Sequence, residues 1–141
     1  MGLKEIEIPY SGPSMSPLFN EGDVLFVREL GLYRPCLGDL IVFRDNEEWV
    51  AHRVIKMQPS LVTKGDRSLY EELPDRANLF GLVTGFRSNG NLYKWGEAGQ
   101  KFKIMLAFFS RFALKPWGKV IRYFALSIIF VLTTISKRMS F

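Results

Sequence analysis

Short apolar runs separated by turn residues fill the first two thirds of the chain. Residues 5–8 read Glu-Ile-Glu-Ile, and this period of two is typical of a half-buried strand. Asn89-Gly90 is typical of the tight turn of a β-hairpin. Further apolar runs occupy residues 24–27, 40–43, 49–55, 79–86 and 92–95. The pattern predicts a small, mainly β domain over residues 1–96.

The period changes after residue 100. A helical projection of residues 101–115 places polar side chains on one side and gathers apolar ones on the other, namely Phe102, Met105, Phe108, Phe109, Phe112 and Ala113. Pro116 breaks this helix, and a second is predicted over 119–136. The expected fold is therefore a β domain followed by C-terminal amphipathic and apolar helices within residues 97–141.

The second predicted helix is short for a membrane span. Its uncharged stretch, residues 123–135, has 13 residues. At a rise of about 1.5 Å per residue it covers about 20 Å, against a hydrocarbon layer of about 30 Å. Spanning the bilayer and lying in its interface both stay open. Packing into a protein core is a third possibility, which the absence of acidic residues disfavours.

Charge divides the chain at the same place. Residues 1–100 hold 11 basic and 14 acidic residues, whereas residues 101–141 hold 8 basic and none acidic. The basic residues of the second part are separated by Phe, Ile, Leu and Ala, which favours lipid over nucleic acid as the partner. We expect residues 101–141 to associate with a membrane, and we expect no nucleic-acid partner.

The side of the membrane is left open by the sequence. Lys4, Glu5 and Glu7 interrupt any apolar run at the start, so no cleavable export signal is expected there. If 123–135 spans, six basic residues precede it within 101–122 and two follow, which favours a cytoplasmic β domain.

Metal and cofactor chemistry is not indicated. Cys36 is the one cysteine and His52 the one histidine. These counts exclude an intramolecular disulfide and a metal site built from several Cys or His ligands. We therefore predict no metal and no cofactor, and any histidine chemistry falls to His52.

A serine and this histidine are candidates for nucleophilic catalysis. Ser14 lies in a segment, 11–17, that contains one glycine and two prolines, which would hold the hydroxyl rigidly. His52 lies in a predicted strand, and a base must be held near a serine before that serine becomes a good nucleophile. Acidic residues follow in one polar loop, namely Asp66, Glu71, Glu72 and Asp75. Each of these residues, taken alone, is also an ordinary turn or surface residue.

The order of short motifs resembles the signal peptidase I family. Over residues 6–86 the chain reads Ser14-Met15-x-Pro17, then Gly-Asp followed by an apolar strand at 22–27 and again at 38–43, then His52-Arg53-Val54, and then Lys64-Gly65-Asp66. The resemblance implies that Ser14 is the nucleophile. The bacterial branch has a lysine base where this chain has His52, so the likeness is to the histidine-dependent archaeal and endoplasmic-reticulum branch.

The resemblance also implies a carboxylate that orients His52. Asp66 matches the aspartate of the Lys-Gly-Asp motif and is the first candidate. A second aspartate of the family corresponds to Glu72 here, with Asp75 three residues beyond, so these two compete for the role. Lys64 is a less favoured alternative base.

The resemblance also bears on the oxyanion hole, for which the backbone N–H of Ser14 is one expected donor. The family often has a hydroxyl two residues before the nucleophile, where this chain has Gly12, so Ser11 or Ser16 is expected to replace it.

The function expected from these residues is that of a serine endopeptidase. Ser14 would attack, His52 would act as general base, and the substrate would be an extended peptide such as a signal or leader peptide of a precursor protein. The alternative is a non-catalytic, membrane-associated peptide-binding module on a degenerate peptidase fold.

Overall fold

In the part of the chain that the structure describes, one antiparallel sheet of seven strands forms the body of the protein. The computed structural model describes residues 4–94 and, beyond them, seven helical positions: Ile104, Met105, Ala107, Phe108, Ser127, Ile128 and Val131. The strands are β1 (Glu5–Pro9), β2 (Val24–Glu29), β3 (Leu40–Asp45), β4 (Glu48–Lys56), β5 (Val62–Lys64), β6 (Leu79–Ser88) and β7 (Asn91–Lys94). A 3₁₀ turn, Arg76–Asn78, precedes β6. The mainly β prediction is confirmed.

The sheet order runs β1-β2-β6-β3-β4-β5, and β7 also pairs with β6. β6 is therefore the centre of the sheet. Residues 81–87 of β6 pair with β2 on one side, while β3 and β7 share the other side, β3 along residues 79–82 and β7 along 85–88.

Two tight turns close the consecutive hairpins. Asn89 (φ 49°) and Gly90 (φ 79°) are both left-handed and bring Ser88 opposite Asn91, which confirms the hairpin predicted there. Asn46 and Glu47 are also left-handed, between β3 and β4. Glutamate, unlike asparagine and glycine, is uncommon in the left-handed conformation, so the sequence Asn46-Glu47 predicts a tight turn less strongly than Asn89-Gly90 does.

Apolar side chains are buried on both faces of the sheet. Leu40 and Val42 of β3 pack into the larger cluster, whereas Ile41 and Phe43 of the same strand pack into a smaller one on the opposite face. This arrangement explains why β3 is a continuous apolar run rather than an alternating one. The larger cluster also takes in Met15, Leu18 and Phe19 from the connection between β1 and β2.

The predicted C-terminal helices fall mostly outside the described residues, as does the predicted boundary between residues 96 and 97. The helical positions given above lie within the two predicted helices. In the part of the chain that is described, no helix is both long enough and apolar enough to cross a membrane.

Candidate active site

The connection between β1 and β2 holds Ser14 from the inside. Met15 and Phe19 are fully buried, and Leu18 N donates to Met15 O at 2.9 Å. Gly12 has φ 96°, and its N–H donates to the Glu21 carboxylate at 2.7 Å. Ser14 itself is half-buried. The apolar neighbours thus fix the backbone while the hydroxyl stays within reach of solvent.

His52 lies in the middle of β4, where its strand position buries it. Only 6% of the residue is exposed, and the edge of its ring meets the Phe43 ring at a centroid distance of 6.1 Å. Ile41 is its register partner on β3. The apolar neighbours on β3 therefore restrict the orientation of the imidazole.

The side chains of Ser14, His52 and Glu72, which come from separate segments of the chain, are joined by two successive polar contacts. His52 Nε2 lies 3.1 Å from Ser14 Oγ, and His52 Nδ1 lies 2.6 Å from Glu72 Oε2. An ionised carboxylate only accepts hydrogen bonds, so a neutral imidazole in these contacts donates from Nδ1 to Glu72 and accepts at Nε2 from the Ser14 hydroxyl. This is the arrangement in which a histidine can take a serine proton.

Glu72 reaches His52 because its backbone pairs with β5. Glu72 N donates to Thr63 O at 2.8 Å, and Thr63 N donates to Glu72 O at 2.9 Å. The Glu72 side chain is 41% exposed, so the carboxylate touches both the imidazole and solvent.

Asp66 and Asp75 lie elsewhere. Both Asp66 oxygens accept from Arg53, at 2.7 Å each, and Arg53 also donates to Gly38 O at 3.1 Å. Asp75 caps the 3₁₀ turn by accepting from Ala77 N at 3.0 Å. Of the three carboxylates left open by the sequence, Glu72 is the one in contact with His52.

The remaining residues considered from the sequence are Lys64, Ser16 and Ser11. Lys64 is fully buried, and its Nζ donates to Gly65 O at 3.0 Å. Ser16 Oγ donates to Asn20 Oδ1 at 3.4 Å, and Ser11 is exposed. A role for either serine in an oxyanion hole stays a prediction.

Gly65 is a residue whose role the sequence did not reveal. A Cβ placed there would lie 2.7 Å from Ser14 O and 3.1 Å from His52 Nε2. Only a glycine therefore lets the strand end approach the serine and the histidine this closely. Its position between two charged motif residues gave no indication of that contact.

Tyr10 was also missed. Its hydroxyl lies 3.2 Å from Ser14 Oγ and 3.0 Å from Met15 N. No motif marks this tyrosine, although it follows β1 two residues after Ile8 and is buried with it in the larger cluster.

Glu72 itself lines a cavity of about 290 Å³, together with Phe43 and Asp75. A second, of about 340 Å³, is lined by Gly12, Pro13 and Ser16, which lie on either side of Ser14 in the chain, and by Arg67. Another, of about 730 Å³, lies against Tyr33, Met57 and Phe80. Among the residues described, no group of three His, Cys, Asp or Glu side chains is arranged to hold a metal ion.

Comparison of the chain with protein-family models, with curated proteins and with solved structures finds no match.

Breaking the buried ion pair should destabilise the protein. Asp66→Asn leaves the Arg53 guanidinium buried without its counter-charge, which costs about 3–5 kcal/mol of unfolding free energy. Urea unfolding followed by tryptophan fluorescence measures this loss. The matched control is Glu7→Gln, which breaks the exposed Arg87–Glu7 pair and should cost less than about 1 kcal/mol. Equal losses in the two variants would contradict the structural role assigned to Asp66.

Proposed function

We propose that the protein is a serine endopeptidase in which Ser14 is the nucleophile, His52 the general base and Glu72 the carboxylate that orients it. The observation that supports this most is the pair of contacts on the two nitrogens of His52, 3.1 Å to Ser14 and 2.6 Å to Glu72. The half-buried serine beside a buried histidine matches what nucleophilic catalysis requires.

The proposed reaction proceeds in two stages. As Ser14 Oγ attacks the peptide carbonyl carbon, its proton passes to His52 Nε2, and Glu72 stabilises the imidazolium. His52 then gives that proton to the leaving amine, the C–N bond breaks, and an acyl-enzyme stays on Ser14. Water, deprotonated by His52, attacks the ester and releases the second product. The Ser14 N–H is the proposed donor to the carbonyl oxygen.

The proposed substrate is an extended peptide, such as a signal or leader peptide. A cavity of about 340 Å³, lined in part by Gly12, Pro13 and Ser16 on either side of Ser14 in the chain, supports this because it offers room for a peptide near the candidate nucleophile. Extended peptides bind proteins through main-chain hydrogen bonds to exposed strand edges, which an open sheet such as this one offers.

Membrane lipid is the second proposed partner, through residues 101–141. Their basic and apolar composition supports it. A further support lies in the loop that carries Glu72, where Leu69, Tyr70 and Leu73 expose 44%, 77% and 70% of their surface. Apolar side chains exposed together beside a site are typical of surfaces that meet lipid or a partner.

Removal of the Ser14 hydroxyl should abolish cleavage. Ser14→Ala deletes the attacking atom, so turnover of extended peptides, read by mass spectrometry on a peptide library, should fall by about 10³-fold or more. Ser60→Ala, an exposed serine in the loop between β4 and β5, is the matched control and should keep full activity.

The competing hypotheses give other results. A non-catalytic binding module would cleave nothing and would not react at Ser14 with a fluorophosphonate. If Lys64 were the base, Lys64→Ala would lose activity and His52→Ala would keep it. Both variants must be shown to be folded for this comparison.

Two carboxylates of the same loop should behave differently. Glu72→Gln removes the charge that stabilises the imidazolium, so kcat should fall about 100-fold or more. Asp75→Asn weakens the cap of the 3₁₀ turn, which lowers stability by about 1 kcal/mol or less and leaves kcat unchanged. Steady-state kinetics on one peptide decides the matter, and a larger loss in Asp75→Asn would refute the assignment of Glu72.

Residues 101–141 should hold the protein on anionic vesicles. Basic side chains add an attraction of about 1 kcal/mol each near an anionic surface, so the chain of residues 1–141 should bind vesicles containing phosphatidylserine more tightly than neutral ones. Co-sedimentation at low and high salt measures this difference. A chain that lacks 101–141 and still sediments with both kinds of vesicle would rule out the segment as the attachment.

A further inference from the structure

Tyr10 is the one phenol in contact with the candidate nucleophile within residues 4–94. Its hydroxyl lies 3.2 Å from Ser14 Oγ and 3.0 Å from the backbone nitrogen of Met15. The ring is buried, with 8% of the residue exposed, and packs edge-on against Phe19 at a centroid distance of 5.5 Å. The hydroxyl is therefore held in place by the core.

The two ends of this hydrogen-bonded chain decide where every proton points. The Met15 N–H can only donate, so the Tyr10 oxygen accepts from it, and the phenolic proton can be donated to Ser14 Oγ. At the other end the Glu72 carboxylate can only accept, which leaves His52 Nε2 as an acceptor. Ser14 then accepts from Tyr10 and donates to His52.

We propose that Tyr10 is a positioning residue, whose hydroxyl donates to Ser14 Oγ and thereby turns the Ser14 proton toward His52. This proposal rests on the proposed peptidase function and adds a fourth side chain to the site. When the serine proton passes to Nε2, the oxygen gains negative charge, and the donated bond from Tyr10 stabilises it while the new C–O bond forms. Tyr10 keeps its own proton throughout.

The surroundings keep the phenol in the form that this role requires. Burial raises the pKa of Tyr10 above its ordinary value, although the hydrogen bond to Ser14 opposes that effect. Tyr10 therefore stays a protonated donor across the neutral range.

The test uses the single histidine as a reporter that needs no substrate. The test chain is labelled with ¹⁵N-histidine. In neutral His52 the Nε2 resonance should lie upfield of that of an unprotonated imidazole nitrogen that accepts no hydrogen bond, because Nε2 accepts from Ser14. Tyr10→Phe keeps the packed ring and removes the hydroxyl, so the Nε2 resonance should move downfield, in the same direction as in Ser14→Ala. The rate of Ser14 labelling by a fluorophosphonate should fall about ten-fold.

A matched control separates this role from a general loss of stability. Tyr33→Phe also removes a phenolic hydroxyl. That hydroxyl lies away from Ser14 and donates to Asp39 Oδ2 at 2.8 Å. It should leave both the Nε2 resonance and the labelling rate unchanged.

A second variant covers the case in which Tyr10→Phe does not fold. Replacement of Tyr10 by 3,5-difluorotyrosine keeps the hydroxyl and lowers its pKa. The labelling rate should then fall about ten-fold at alkaline pH, where the phenol ionises and stops donating, while the wild type keeps its rate.

The outcomes distinguish the two proposals. A Nε2 resonance that moves in Ser14→Ala but not in Tyr10→Phe would overturn the role of Tyr10 and leave the peptidase proposal standing. A pH profile unchanged by difluorotyrosine would overturn it as well. A resonance unmoved in Ser14→Ala would overturn the Ser14–His52 contact, and with it the proposed function.

Discussion

The buried ion pair between Arg53 and Asp66 is the interaction on which the arrangement of the site depends. Both side chains are almost completely removed from solvent, so each charge is tolerable only with the other in place. The pair joins β4 to the segment that follows β5. Gly65 and Arg67 are the chain neighbours of Asp66, and both contact Ser14. Gly65 packs against Ser14, and Arg67 N donates to Ser14 O at 2.8 Å.

This constraint places the serine and the histidine at hydrogen-bonding distance. His52 precedes Arg53 on β4, so fixing the arginine fixes the strand that presents the imidazole. Asp66 N also donates to the Met15 sulfur at 3.4 Å, which ties the same segment to the residue after Ser14. Two carboxylates thus have separate tasks. Asp66 holds the framework in a dry environment, and Glu72, partly in solvent, contacts the imidazole.

Much of the sheet could be predicted from the sequence because local patterns determine it. The apolar runs and the Asn89-Gly90 turn lie in the observed strands and hairpin, apart from Trp95, which falls outside the described residues. β5 was not separated from its motif because three residues are too few for a periodic signal.

The candidate site was predictable only in part. The order of motifs indicated Ser14 and His52, but the choice of carboxylate depends on a bridge between Thr63 and Glu72 that no local pattern encodes. Asp66, the carboxylate that the resemblance favoured for orienting His52, instead accepts hydrogen bonds from Arg53. Tyr10 and Gly65 act through tertiary contacts, which explains why neither was singled out.

The central claim is that Ser14 forms a covalent bond to the substrate, and direct detection of the acyl-enzyme tests it best. The chain of residues 1–141, mixed with a cleavable peptide and quenched in acid within the first turnover, should carry the acyl part of that peptide. Mass spectrometry of the tryptic fragment covering residues 5–28 should place the added mass on Ser14. Cleavage of the peptide with no adduct on this fragment, or with the adduct on another residue, would contradict the account.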